Sequence, residues 1–136
     1  MVIDEKIFKS ISNILEKEKI IEFAYIFGSY AAGLNREDSD IDLAIYLKEN
    51  INIDYEYPVR LALKIEKRIG IPVDVIILND KPILIISEVL KNGIVVFSKN
   101  ERKRIFFETK MLSQIQDFNE LMKEYDEMRL KRYGVR

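Results

Sequence analysis

Gly28 and Ser29, followed by Asp40 and Asp42, are the residues of this chain whose types and spacing can do chemistry. A glycine lets the backbone approach a phosphate closely, because no side chain stands in the way. A serine that opens a helix adds a hydroxyl to the free N–H groups that favour an anion there. Asp40 and Asp42 flank Ile41 at the start of an apolar run, so on a strand both carboxylates point one way while Ile41 and Leu43 point into a core. Two neighbouring carboxylates repel, and a bound cation offsets that best. All-oxygen donors suit Mg2+ or Mn2+ and not zinc.

Asp74 supplies a third carboxylate, set within the apolar run Val73-Asp74-Val75-Ile76-Ile77-Leu78. A lone acid is costly in a strand buried on both faces. The cost falls if that strand lies beside the Asp40/Asp42 strand and all three acids face the same cations. A phosphate grip and a carboxylate-held metal together serve one reaction: a metal-bound triphosphate is held by its terminal phosphates while its α-phosphorus stays open to in-line attack. Singly, Gly28-Ser29 reads as a capped strand-to-helix turn, the aspartates as solvated loop acids, and Asp74 as a structural acid. Asp38 reads as part of a polar turn.

The rest of the composition narrows the chemistry. The chain of 136 residues has no cysteine and no histidine, which excludes disulfides, thiolate or imidazole metal sites and a Ser-His pair. Its net charge of −1 argues against general attraction to nucleic acid or an anionic membrane, and no direct nucleic-acid binding is expected. The sequence shows neither a signal peptide nor a membrane-spanning run, so a soluble cytoplasmic protein is the expectation.

The elements that must position these residues alternate. A helical stripe runs from Ile3 to Lys19, and Ile20 to Phe27 reads as a strand stopped by Gly28. A short helix begins at Ser29 and ends near Gly33. Ile41 to Leu47 is a second strand, Pro58 to Ile69 a helix, Val73 to Leu78 a strand, Pro82 to Lys91 a helix and Ile94 to Phe97 a fourth strand. From about 100 to 132 one long helix carries an apolar seam at Ile105, Leu112, Ile115, Phe118, Met122 and Tyr125, expected to pack on the sheet. Arg102-Lys103-Arg104, flanked by Glu101 and Glu108, reads as a solvated face. Tyr55 and Tyr57 precede a helix near the expected mouth of the site, where they could meet a base or a partner, but packing is the favoured reading. The whole predicts one α/β (α+β) domain, residues 1–136, with a core over about 20–97 and a small mixed sheet flanked by helices.

Gly28-Ser29, Asp40-Ile41-Asp42 and Asp74, in this order and spacing, resemble the nucleotidyltransferase superfamily that includes DNA polymerase β. Within it, the short chain looks like a minimal nucleotidyltransferase (MNT), the antitoxin partner of HEPN-domain ribonuclease toxins. The resemblance implies the polymerase β-like fold and transfer of AMP from ATP, with Mg2+, to a tyrosine hydroxyl of the toxin. It assigns Gly28 and Ser29 to the triphosphate, Asp40 and Asp42 to the metals, and Asp74 to the catalytic metal and the attacking hydroxyl's proton. Members often carry arginine shortly after Gly-Ser, where this chain has Ala32; Arg36 is the nearby candidate to supply that charge. The alternatives are an antitoxin acting by occlusion alone, a nucleotide sensor, or an antibiotic-type nucleotidyltransferase, which generally needs an added helical domain.

Overall fold

The computed structural model describes residues 4–36 and 39–134. Asp38 lies outside them. Helices and strands follow the order α1 (Glu5–Glu16), β1 (Ile21–Phe27), α2 (Ser29–Ala32), β2 (Ile41–Leu47), α3 (Tyr57–Ile69), β3 (Val73–Ile77), α4 (Ile83–Asn92), β4 (Ile94–Ser98) and α5 (Glu101–Arg132).

Local chemistry explains the boundaries. Asp4 caps α1 by accepting from the Lys6 backbone N–H at 2.9 Å. Pro58 sits in the first turn of α3, where its missing N–H costs nothing, and Gly70 ends that helix in the left-handed conformation. Asn100 opens α5 by accepting from Lys103 N at 3.1 Å.

The strands form one sheet in the order β3-β2-β1-β4. β1 runs antiparallel to β2 and β4, while β2 and β3 are parallel, joined through α3. β1 lies centrally and is buried along nearly its whole length. The alternation of side chains on β2 sorts the core into two layers. Ile41, Leu43, Ile45 and Leu47 pack with Ile11 and Leu15 of α1 and Leu61 and Ile65 of α3. Ala44 and the partly buried Tyr46 face Ile86 and Val89 of α4 and Phe107 of α5. The result is helices on both faces of a mixed sheet, as expected. Among the described residues no helix is long and apolar enough to cross a membrane.

The long helix corrects one expectation. Its seam does not lie on the sheet: Ile105 and Leu112 are about half exposed, and Phe107, outside the seam, is the buried residue of the helix. Phe107 packs against the rings of Phe23 and Tyr46, with Met111 beside it. Polar contacts fix the angle at which α5 arrives. The Tyr25 hydroxyl donates to Glu108 at 2.6 Å, and the buried Glu22 meets Lys103 at 3.7 Å. Arg104 pairs with both Glu101 and Glu108, so two of the three basic residues at this end are tied to acids and not simply solvated.

Candidate active site

The site is assembled at one end of the sheet, where β1 ends and β2 begins. The antiparallel register sets Phe27 opposite Asp42, so Gly28 emerges beside the Asp42 carboxylate. Gly28 has φ +75°, and a Cβ there would come within 2.2 Å of Asp42 Oδ2. Both conditions require glycine: a positive-φ extended backbone, and a carboxylate occupying the space a side chain would need.

α2 follows as a single turn, Ser29 to Ala32, closed by Gly33 at φ +75°. Tyr30 is buried in the layer with α1 and α3, which anchors the turn. One turn accumulates little dipole, so what α2 offers an anion is chiefly the N–H groups of Ser29, Tyr30 and Ala31, which precede the first helical hydrogen bond, together with the half-buried Ser29 side chain.

Asp42 and Asp74 are Cα partners across the parallel β2–β3 pair. Asp42 lies on the same face of β2 as Ala44 and Tyr46, and Asp40 precedes the strand on an exposed position. The three acids are electrostatically coupled: burial, then the charge of Asp74, then that of Asp40 push the Asp42 carboxyl above its ordinary value. Partial burial and two like-charged neighbours act in the same direction on this carboxyl. An oxygen-only donor set with such repulsion fits a hard divalent cation. The acids do not form a finished cage, for among the described residues no three His, Cys, Asp or Glu side chains are grouped as a ready metal site.

The remaining candidates separate. Arg36 is exposed on the loop after α2, its backbone N–H donating to Ser39 Oγ at 2.7 Å, and its guanidinium has no acid partner among the described residues. Tyr57 donates to Glu18 at 2.6 Å and packs in the layer with α1 and α3. That is the opposite face from Asp42, so Tyr57 does not line the mouth of the site. Tyr55 is almost fully exposed. Asn35, which carried no sequence signal, sits in the loop between Ser29 and Asp40 with its Oδ1 buried and without a donor among the described residues. A cleft of about 420 Å³, lined by Tyr46, Glu49, Ile53 and Asn79, opens at the far end of β2 and takes in none of Asp40, Asp42 and Asp74.

A glycine-serine turn beside facing carboxylates on adjacent parallel strands, in a mixed sheet of this order, defines a nucleotidyltransferase fold. The Polymerase beta, Nucleotidyltransferase family model matches residues 9–102, and the chain belongs to that family. A relative from Methanocaldococcus jannaschii, provisionally named protein adenylyltransferase MJ1379, is 36% identical over 78 residues, covering 52% of this chain and 78% of that protein. A chain in the crystal structure of a toxin-antitoxin with AMP-PNP superposes with a TM-score of 0.73 at 22% identity, over 90% of this chain and 98% of that one. A chain in the structure of tri-AMPylated Shewanella oneidensis HEPN toxin in complex with MNT antitoxin gives 0.69 at 20% identity, over 92% and 98%. At those identities the likeness to the solved structures is one of fold.

Proposed function

We propose that this chain is an MNT-type antitoxin that transfers AMP from ATP to a tyrosine hydroxyl of a helical HEPN-type toxin in the cytoplasm. The observation that carries the reading is the meeting of Gly28, Asp42 and Asp74 at one sheet end. The adenylyltransferase name of the 36%-identical relative supports the reaction class. The toxin-antitoxin origin of the two superposed chains supports the acceptor.

In this reading the backbone at Gly28 and the hydroxyl of Ser29 hold the terminal phosphates. Asp40 and Asp42 hold divalent cations, Mg2+ or Mn2+, and Asp74 completes the set. When bound, such cations neutralise the phosphates and stabilise the attacking and leaving oxygens. The tyrosine oxygen forms a bond to the α-phosphorus, the bond from that phosphorus to the β-phosphate oxygen breaks, and pyrophosphate leaves. A free phenol titrates near ~10, so its proton needs an acceptor at neutral pH. Asp74, exposed beside Asp42, takes that role. The acids stand at an open surface, which suits an acceptor presented by another protein. Arg36 lies near enough in sequence to help with the phosphates in place of the arginine absent at Ala32.

The test is incubation with α-labelled ATP, Mg2+ and the product of the neighbouring gene. Label should pass to that protein and vanish with Asp40→Asn/Asp42→Asn. If the double variant still neutralises the toxin while no label moves at any time, occlusion replaces catalysis.

A further inference from the structure

Beyond Phe118, α5 leaves the body of the protein. Every position from 119 to 134 is exposed, although the helix continues to Arg132. That free stretch is about 20 Å long at 1.5 Å per residue, and an isolated helix of its length is marginal in water. It nonetheless carries Leu121, Tyr125 and Met128 at more than half exposure. Ile115, Phe118, Met122 and Tyr125 recur at alternating spacings of three and four, the pattern of a helix seam that faces another helix.

The charges say what covers it. Asp117, Glu120, Glu124, Asp126 and Glu127 form an acidic block relieved only by Lys123, and Arg129, Lys131 and Arg132 follow directly. A helix with acid then base along its length is complementary to itself reversed. Two parallel copies would set acid on acid and base on base.

We propose that a second copy of this chain covers the free part of α5, the two helices running antiparallel about a two-fold axis near Met122 and Tyr125. Arg129, Lys131 and Arg132 of each copy then lie beside Asp117 and Glu120 of the other. Such an isologous contact closes on itself and stops at a dimer. It is distant along the chain from Gly28 and Asp42 and does not depend on nucleotidyl transfer.

The 136-residue chain by itself supplies the test, and the absence of cysteine from it makes the test clean. Sedimentation equilibrium should give a dimer whose Kd rises by about tenfold or more from low to high salt, since exposed ion pairs are screened. Tyr125→Cys should form a disulfide-linked dimer on mild oxidation. Arg132→Cys alone should not, but should cross-link to Phe118→Cys when the two variants are mixed. Arg129→Glu/Arg132→Glu should weaken the dimer, and adding Asp117→Lys/Glu120→Lys should restore it. A monomer at every concentration overturns the proposal, even if the toxin later covers the helix. Self-cross-linking of Arg132→Cys, or charge reversals without effect, overturns it equally.

Discussion

Asp42 and Asp74 stand opposite each other on neighbouring parallel strands, and burial, with the charge of Asp74 after it, raises the proton affinity of Asp42. A fold gains nothing from that repulsion, and on the reading proposed above a bound cation would relieve it. The pairing gives the site an electrostatic signature that can be measured without any substrate.

The first expected outcome concerns Asp42→Asn and pH. Because the Asp42 carboxyl lies above its ordinary value when folded, the folded chain holds that proton more tightly than the unfolded one. Stability therefore falls as pH rises from the ordinary carboxylate value through the raised one, and the ionised pair remains a constant burden above it. Asp42→Asn should flatten that fall, raise Tm at neutral pH in EDTA, and remove any rise in Tm on adding Mg2+. Wild-type protein saturated at about 100 times Kd should gain roughly 2.7 kcal/mol from the ion. A lower Tm for Asp42→Asn in EDTA would show that the acid is a structural support.

A second outcome concerns Gly28→Ala. The new methyl meets Asp42 Oδ2 and forces an L-residue into a positive-φ extended backbone, which costs on the order of 1–3 kcal/mol. The loss of ATP binding should be larger than that strain implies, because the carboxylate must move as well. Thermal melting beside a nucleotide titration separates the two: folded protein with unchanged affinity would remove Gly28 from the phosphate grip.

Much of this was legible in the residue order, and the failures have physical causes. The strands and helices follow from apolar periodicity together with Gly and Pro, and the placing of Asp74 followed from the cost of a lone acid in an apolar run. Periodicity also showed that α5 is a helix with a seam, but not which stretch meets the sheet. That depends on the angle set by Glu22, Tyr25 and Glu108, contacts remote in sequence. Tyr57 takes the packing role favoured for it, on the face that topology makes α3 cover, and not a place at the mouth of the site. No pattern marks Asn35, whose interest lies in the burial of one oxygen.

Ala32 offers a gain-of-function test. It is exposed at the end of α2, so Ala32→Arg adds a cation near the Gly28-Ser29 turn proposed to hold phosphate, without disturbing the core. ATP affinity or transfer rate should rise by about tenfold, the effect of ~1.4 kcal/mol. Arg36→Ala in the wild-type background should lower them, and should matter less once residue 32 is arginine. Equal losses in both backgrounds, measured by single-turnover kinetics, would mean that Arg36 does not substitute for the absent arginine.

The last outcome tests how α5 is held. The Tyr25 hydroxyl is buried and donates to Glu108, and both burial and the carboxylate push its pKa far above that of a free phenol. The folded state thus keeps a proton that the unfolded chain loses near ~10. This contribution to stability is complete below that pH and disappears as the pH rises above it. Tyr25→Phe removes one hydrogen bond to a charged group, worth about 1.5 kcal/mol, while Arg104 continues to pair with Glu108. Urea unfolding at pH 8 should show that loss, and the decline between pH 10 and 11 should become shallower in the variant. Tyr57, which donates to Glu18 and is raised in the same way, contributes a parallel decline. Tyr46, raised by burial and by Glu49, adds a further share, so the Tyr25→Phe/Tyr57→Phe double variant should lose more of the alkaline slope than either single variant. A slope unchanged in the double variant would mean that neither phenol needs its proton to hold the fold.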